Sequence, residues 1–166
     1  GRCCGVTIRS PVAEDYAPLA DLFADLWHIA HRHCVPEDLA ALRTRPDFLR
    51  RLYGFGNGLI VLGTEGAPKG FAAIVGNELD QLYVAQDLWG GGAADTLVRH
   101  ALDRIARDGH DNAILKCNPG NLRAAAYYRK SGWADDGLQA VTVDTANGPF
   151  VMDCIVFSRP AQRLTT

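Results

Sequence analysis

The stretch from Leu79 to Gly132 constrains this chain most. Leu79 to Val84 has the composition of a strand and runs into Leu88-Trp89-Gly90-Gly91-Gly92-Ala93-Ala94. From Gly92 to Asp108 apolar residues recur at helical spacing, and Gly109 ends the pattern. Ala113 to Cys117 reads as a strand, and Asn121 to Ser131 as a helix closed by Gly132. A strand–helix–strand unit implies one parallel pair joined by a crossover. A strand that passes through glycines into a helix is also a ready anion site. Its first backbone N–H groups are unpaired and lie at the positive end of the helix dipole. Glycine lets a phosphate approach the backbone closely and permits φ > 0.

The flanking elements make the sheet mixed. Val6 to Arg9 is a short strand, stopped by Ser10-Pro11. Ala13 to Arg32 repeats apolar residues at helical spacing: Tyr16, Leu19, Ala20, Phe23, Leu26, Trp27 and Ala30. Pro36 breaks that helix and opens another, with Glu37 and Asp38 in its first turn. Asp47 to Tyr53, behind Pro46, has the form of a further short helix, and Gly54, Gly56 and Gly58 form a turn. Strands follow at Leu59 to Thr64, Gly70 to Gly76 and Glu78 to Ala85, the first two joined by a turn at Glu65-Gly66-Ala67-Pro68. Two last strands, Leu138 to Asp144 and Phe150 to Ser158, meet at Asn147-Gly148, a strong hairpin signal. The order β α α β β β α β α β β predicts one domain over 1–166, of α/β (α+β) class. Its sheet is mixed, mostly antiparallel, with helices on both faces.

Bulk properties exclude several classes. A net charge of −2 and a pI near 6.2 lack the footprint of a nucleic-acid binder. No apolar run approaches a membrane span, and Gly1-Arg2-Cys3-Cys4-Gly5 has no apolar signal core. Five scattered cysteines, Cys3, Cys4, Cys34, Cys117 and Cys154, form no disulfide framework, so reduced thiols in a cytoplasmic protein are expected. A homodimer is left open.

The glycine loop has the wrong place and spacing for a dinucleotide fingerprint, and no lysine follows Gly92 as a triphosphate loop requires. Three segments instead resemble the GCN5-related N-acetyltransferase (GNAT) superfamily. Leu79-Asp80-Gln81-Leu82-Tyr83-Val84 looks like its fourth strand. Trp89-Gly90-Gly91-Gly92-Ala93-Ala94 resembles its acyl-CoA loop, Q/R-x-x-G-x-G/A, with Trp89 where Gln or Arg is usual. Asn121-x-x-Ala124-x-x-Tyr127-Tyr128-x-Lys130-x-Gly132-Trp133 is similar to its fourth-helix motif, the most specific of the three.

The resemblance implies acetyl-CoA, or another short acyl-CoA, as co-substrate, and an N-acetyltransferase acting on a primary amine of a small molecule or peptide; no metal is expected. It implies direct attack within a ternary complex. A non-catalytic acyl-CoA-binding module on the same scaffold is the alternative, since fold does not fix function. It further implies that the fourth strand splays from the fifth and pairs with the pantetheine arm through Leu82, Tyr83 and Val84. One of their N–H groups would polarise the thioester carbonyl. The loop Trp89 to Ala94 would take the pyrophosphate, with Asn121 and Ala124 beside it. Asn121 is equally the N-cap of its helix, after Asn118-Pro119-Gly120. Tyr127 and Trp133 read as core.

Tyr128 resembles the tyrosine that bonds the departing sulfur. A free phenol has pKa about 10 and a thiol about 8.5, so full proton transfer would be uphill by about 2 kcal/mol. Tyr128 is therefore expected to donate a hydrogen bond and to yield its proton only late. The amine must be neutral to attack, and a carboxylate acting through water would serve. Glu78 and Asp80 share one face of a regular strand with Leu82 and are the candidates, Glu78 narrowly ahead; solvated strand residues are the plainer reading. On the acceptor side, Trp27 to Leu39 resembles the W-x-x-x-Y/H-x-x-x-x-P segment of many bacterial members, which casts Trp27, His31 and His33 as pocket residues. With His28 and Cys34 they invite a metal reading. The chain has neither H-E-x-x-H nor a cysteine pair to complete such a site.

Overall fold

The computed structural model describes residues 7–164. Cys3, Cys4 and Val6 lie outside the described residues. One seven-stranded sheet runs in the order β1-β2-β3-β4-β5-β7-β6. Its strands are β1 (Ile8–Arg9), β2 (Leu59–Thr64), β3 (Ala67–Val75), β4 (Glu78–Val84), β5 (Asn112–Cys117), β6 (Ala134–Thr145) and β7 (Gly148–Pro160). Among the described residues only β4 and β5 pair in parallel, across the expected crossover.

The helices are α1 (Tyr16–His31), α2 (Glu37–Leu42), α3 (Arg45–Gly54), α4 (Ala93–Arg107) and α5 (Leu122–Lys130). They cover both faces. Leu97, Val98, Ala101, Leu102 and Ile105, spaced along one side of α4, pack on the sheet with Ala125 and Tyr128 of α5. On the other face Leu19, Phe23 and Trp27 of α1 and Phe48 and Leu52 of α3 meet Val61, Phe71 and Ala73. Asp15 ties α1 to the first strand. The Arg9 guanidinium binds its buried carboxyl at 2.6 and 3.0 Å and, with the Val12 and Gly66 N–H groups, holds its pKa at about 2.

Four expectations need correction. Three helices separate β1 and β2 where the element order has two, because the short helix expected behind Pro46 forms: Thr44 caps α3 by accepting from the Asp47 N–H while Pro46 stands in its first turn. The β2–β3 turn is only Glu65-Gly66, with Ala67 and Pro68 already in strand. β6 starts at Ala134, a bulge between Asp135 and Leu138 interrupting its register.

The fourth correction concerns the site. In β4, Gln81 pairs with Ala73 and Leu79 with Ile74, leaving Asp80 bulged out. The bulge shifts the alternation by one residue. Leu79, Leu82 and Val84 therefore face α4, whereas Tyr83 packs with the α1–α3 core. Glu78, next to Leu79, stands on the α1–α3 face, so Leu82 does not share its side.

The β6–β7 hairpin reaches back over the α1–α3 face. Arg43, at the end of α2, donates to the Asp144 carbonyl at 2.8 Å, and Arg50 of α3 meets the Asp144 carboxylate at 2.9 Å. Among the described residues no helix is long and apolar enough to cross a membrane.

Candidate active site

β4 and β5 pair only at Glu78 and Ile114, then diverge. Beyond that point one edge of β4 is open. The Trp89 indole N–H donates to the Val84 carbonyl at 2.8 Å, so Val84 presents its backbone on that edge. Backbone groups alternate along a strand, so Leu82 does the same and Tyr83 turns toward β3. A Cβ added at Gly70 of β3 would lie 2.8 Å from the Tyr83 carbonyl, which agrees. Of the three residues expected to offer open N–H groups, Leu82 and Val84 do.

The glycine loop closes this opening. Gly92 caps α4 with φ +85°, and Gly90 has φ +83°. A Cβ at either position would meet nothing within 4 Å, so open space lies over both. The first N–H groups of α4 have no acceptor within the helix and carry its positive end. Gly91 differs: its N–H donates to the Leu88 carbonyl at 3.2 Å, completing the turn.

Tyr128 sits where the strands part, 9% exposed, against Trp133 and Phe157. Burial, with Cys117, Tyr127 and Tyr83 nearby, pushes its phenol far above the usual range, so it stays protonated. Asn121 caps α5, its side chain accepting from the Ala124 N–H at 3.4 Å. Tyr127, expected in the core, is half-buried and donates to Asp95 of α4.

Two cavities meet at this point. The loop-side cavity, about 610 Å³, is lined by Val84, Trp89, Gly90, Gly92, Ala93 and Ala94. The hairpin-side cavity, about 530 Å³, lies over the other face and includes Trp27, His31, Glu78, Asp80 and Cys117. Leu82, Tyr83, Asn121, Ala124 and Tyr128 line both. An elongated molecule in one cavity and a small one in the other would meet at Tyr128.

The Acetyltransferase (GNAT) family model matches residues 18–133. The chain belongs to the GNAT acetyltransferase family. Solved structures agree in fold. A GCN5-related N-acetyltransferase from Rhodopseudomonas palustris is 21% identical, with TM-score 0.70, covering 96% of this chain and 99% of that one. The PaiA N-acetyltransferase of Thermoplasma acidophilum, solved with coenzyme A, is 16% identical, with TM-score 0.67 and coverages of 93% and 98%. A ribosomal-protein-alanine N-acetyltransferase from Brucella melitensis is 19% identical, with TM-score 0.67 and coverages of 93% and 99%.

In this GNAT protein the departure at Trp89 has a structural counterpart. The Arg123 guanidinium of α5 lies 3.4 Å from the Trp89 ring centroid, so a cation stands at the loop although Gln or Arg is missing from its first position. In the sequence Arg123 is only the variable third residue of the fourth-helix motif, with no signal of its own.

The two candidate carboxylates differ. Glu78 bonds Lys116 at 3.2 Å, and burial and Asp80 raise its pKa against that pairing. Asp80 accepts from the Gln81 amide at 3.1 Å and has no ionic partner among the described residues. Burial pushes the Cys117 thiol up to about 12 and the Cys154 thiol up to about 11, so neither is a ready nucleophile.

The histidines separate. His31 lines the hairpin-side cavity beside Trp27, and burial lowers its pKa to about 4, leaving it neutral. His33 lines the loop-side cavity instead and donates to the Gly120 carbonyl at 3.3 Å. His28 donates to the Arg43 carbonyl at 2.8 Å, joining α1 to α2. No metal-binding cluster occurs among the described residues. Gly120 explains how close this junction is: a Cβ there would lie 2.3 Å from the Cys34 Cβ.

Proposed function

We propose that this GNAT protein transfers the acetyl group of acetyl-CoA to a primary amine, by direct attack within a ternary complex. The observation that carries the reading is the meeting of the two cavities at Tyr128, beside the open edge of β4. The loop-side cavity is the donor site. Its open space over Gly90 and Gly92 suits a pyrophosphate, the first N–H groups of α4 and the Arg123 guanidinium suit its charge, and the free edge of β4 suits the pantetheine amides. The hairpin-side cavity is the acceptor site.

In this reading Leu82 or Val84 N–H polarises the thioester carbonyl and stabilises the oxyanion formed when the amine nitrogen adds to carbon. Collapse breaks the carbon–sulfur bond. The Tyr128 hydroxyl donates to the departing sulfur, and its protonated state suits that role. The proton released by nitrogen passes through water to a carboxylate of β4, Asp80 or Glu78. The elevated thiol of Cys117 supports direct attack over an acyl-cysteine.

The test is release of free CoA thiol from acetyl-CoA with a mixed amine pool, with mass spectrometry of the products. An amine-dependent rate and an N-acetylated product are expected. Calorimetric binding of acetyl-CoA without thiol release from any amine would leave a binding module and reject the transferase reading.

A further inference from the structure

The hairpin-side cavity holds charges that its internal pairings leave over. Asp47, buried at the foot of α3, binds Arg43 at 3.1 Å and Arg50 at 2.7 Å. Arg50 also reaches Asp144 at 2.9 Å, and Lys116 takes Glu78. Two charged side chains lining the cavity have no ionic partner among the described residues: Arg51 of α3 on one wall and Asp80 of β4 on the other.

Arg51 is prepared to bind. Its guanidinium carbon lies 5.0 Å from the Phe23 ring centroid and 6.0 Å from that of Phe48. The two rings pack beside the guanidinium, and its N–H edge suits a planar oxyanion. Its Nη1 is buried and has no hydrogen-bond acceptor among the described residues. Arg43 Nε, in the same cavity wall, is also buried with no acceptor among the described residues. A native fold seldom leaves two buried guanidinium donors together unless a ligand satisfies them. A charged guanidinium is costly to leave so, and a carboxylate answers it with two parallel bonds.

We propose that the acceptor is a small zwitterion, an amine that also carries a carboxylate, with the carboxylate on Arg51 and the amine drawn to Asp80 below Tyr128. The proposal rests on reading the hairpin-side cavity as the acceptor site. A neutral or purely cationic amine would leave the Arg51 edge unanswered. The hairpin tip, fastened to Arg43 and Arg50 through Asp144, limits the cavity on that side and favours a small acceptor over a chain terminus.

The experiment compares acids with their amides. Thiol release is measured for the proteinogenic amino acids, β-alanine and γ-aminobutyrate, each beside its primary carboxamide. The best acid should exceed its amide by tenfold or more in kcat/KM. Arg51→Gln should raise KM for the acid to the level of the amide, while the acetyl-CoA KM stays within twofold. Arg51→Lys should keep part of the preference. Equal use of acid and amide by the unaltered protein overturns the proposal without any variant. So does an Arg51→Gln defect that falls equally on both.

If no amine is acetylated, the transferase reading fails and the anion site is tested alone, by saturation-transfer NMR with the pool of N-acetylated amino acids. Binding that Arg51→Gln abolishes would uphold the carboxylate site. Absence of binding, or binding indifferent to Arg51, would sink it.

Discussion

The two cavities that meet at Tyr128 are built in opposite ways. The loop-side cavity offers backbone where the proposed donor would bind: the free edge of β4, two left-handed glycines and the first turn of α4. Most of its parts lie within one stretch of chain. The hairpin-side cavity is made of side chains from α1, α2, α3, β4 and the distant β6–β7 hairpin. Arg43 and Asp144, which help close it, are 101 residues apart. A backbone site tolerates many side chains and recognises a constant ligand. A side-chain site changes with few substitutions and suits a variable one. In the reading proposed here, the donor is common to the family and the acceptor belongs to this chain.

Variants that act on one cavity alone would sharpen this contrast, and variants that act on both would break it. The largest effect belongs to the shared residue. Tyr128→Phe keeps the ring and removes the donor to sulfur, so kcat should fall by roughly 10²–10⁴-fold, with both KM values little changed. Full kcat in that variant would reject the role. Because Tyr128 stays protonated through the working range, alkaline pH should not restore the loss.

Gly92→Val comes next. Its φ of +85° is strained for a β-branched residue, and the side chain enters the open space over the loop. Acetyl-CoA affinity should fall by about tenfold or more with the acceptor KM unmoved. Unchanged affinity by calorimetry would place the pyrophosphate elsewhere.

The carboxylates of β4 should show a pH signature. Replacing the true base by its amide should slow turnover about tenfold at neutral pH and recover at alkaline pH, where free amine is abundant. A base at Glu78, with its raised pKa, is ionised and active above that pKa, so activity should fade as pH drops through it. Its bond to Lys116 and the freedom of Asp80 favour Asp80→Asn as the larger defect. A deficit flat across pH would mean positioning instead.

The smallest effects divide the histidines. His31→Ala should raise the amine KM severalfold and leave acetyl-CoA alone. His33→Ala, on the loop side beside Gly120, should move the acetyl-CoA KM by no more than a few fold. Chelator should change neither. If both variants act only on the acceptor, His33 belongs to the other cavity and the division drawn here is wrong.

The local, repeating parts of this protein follow from the residue pattern alone. Periodicity placed α1, α4 and α5. Gly109 and Gly132 marked helix ends, and the strand–loop–helix order required the parallel β4–β5 pair. The fourth-helix spacing around Asn121, Ala124 and Tyr128 pointed to the family that the match over residues 18–133 shows. These features depend on residues a few positions apart, so a linear reading captures them. The remaining features depend on register and on contacts between distant segments. The bulge at Asp80 cannot be read from β4 alone, because it arises from pairing with β3, and it reversed which face Leu82 occupies. The division of His31 from His33 follows from the close approach of Gly120 to Cys34, in segments 86 residues apart. In the sequence Arg51 is one more polar residue of a short helix. Its meaning comes from packing: Phe23 of another helix lies beside its guanidinium, and Asp47 answers Arg43 and Arg50 but leaves Arg51 without an ionic partner among the described residues.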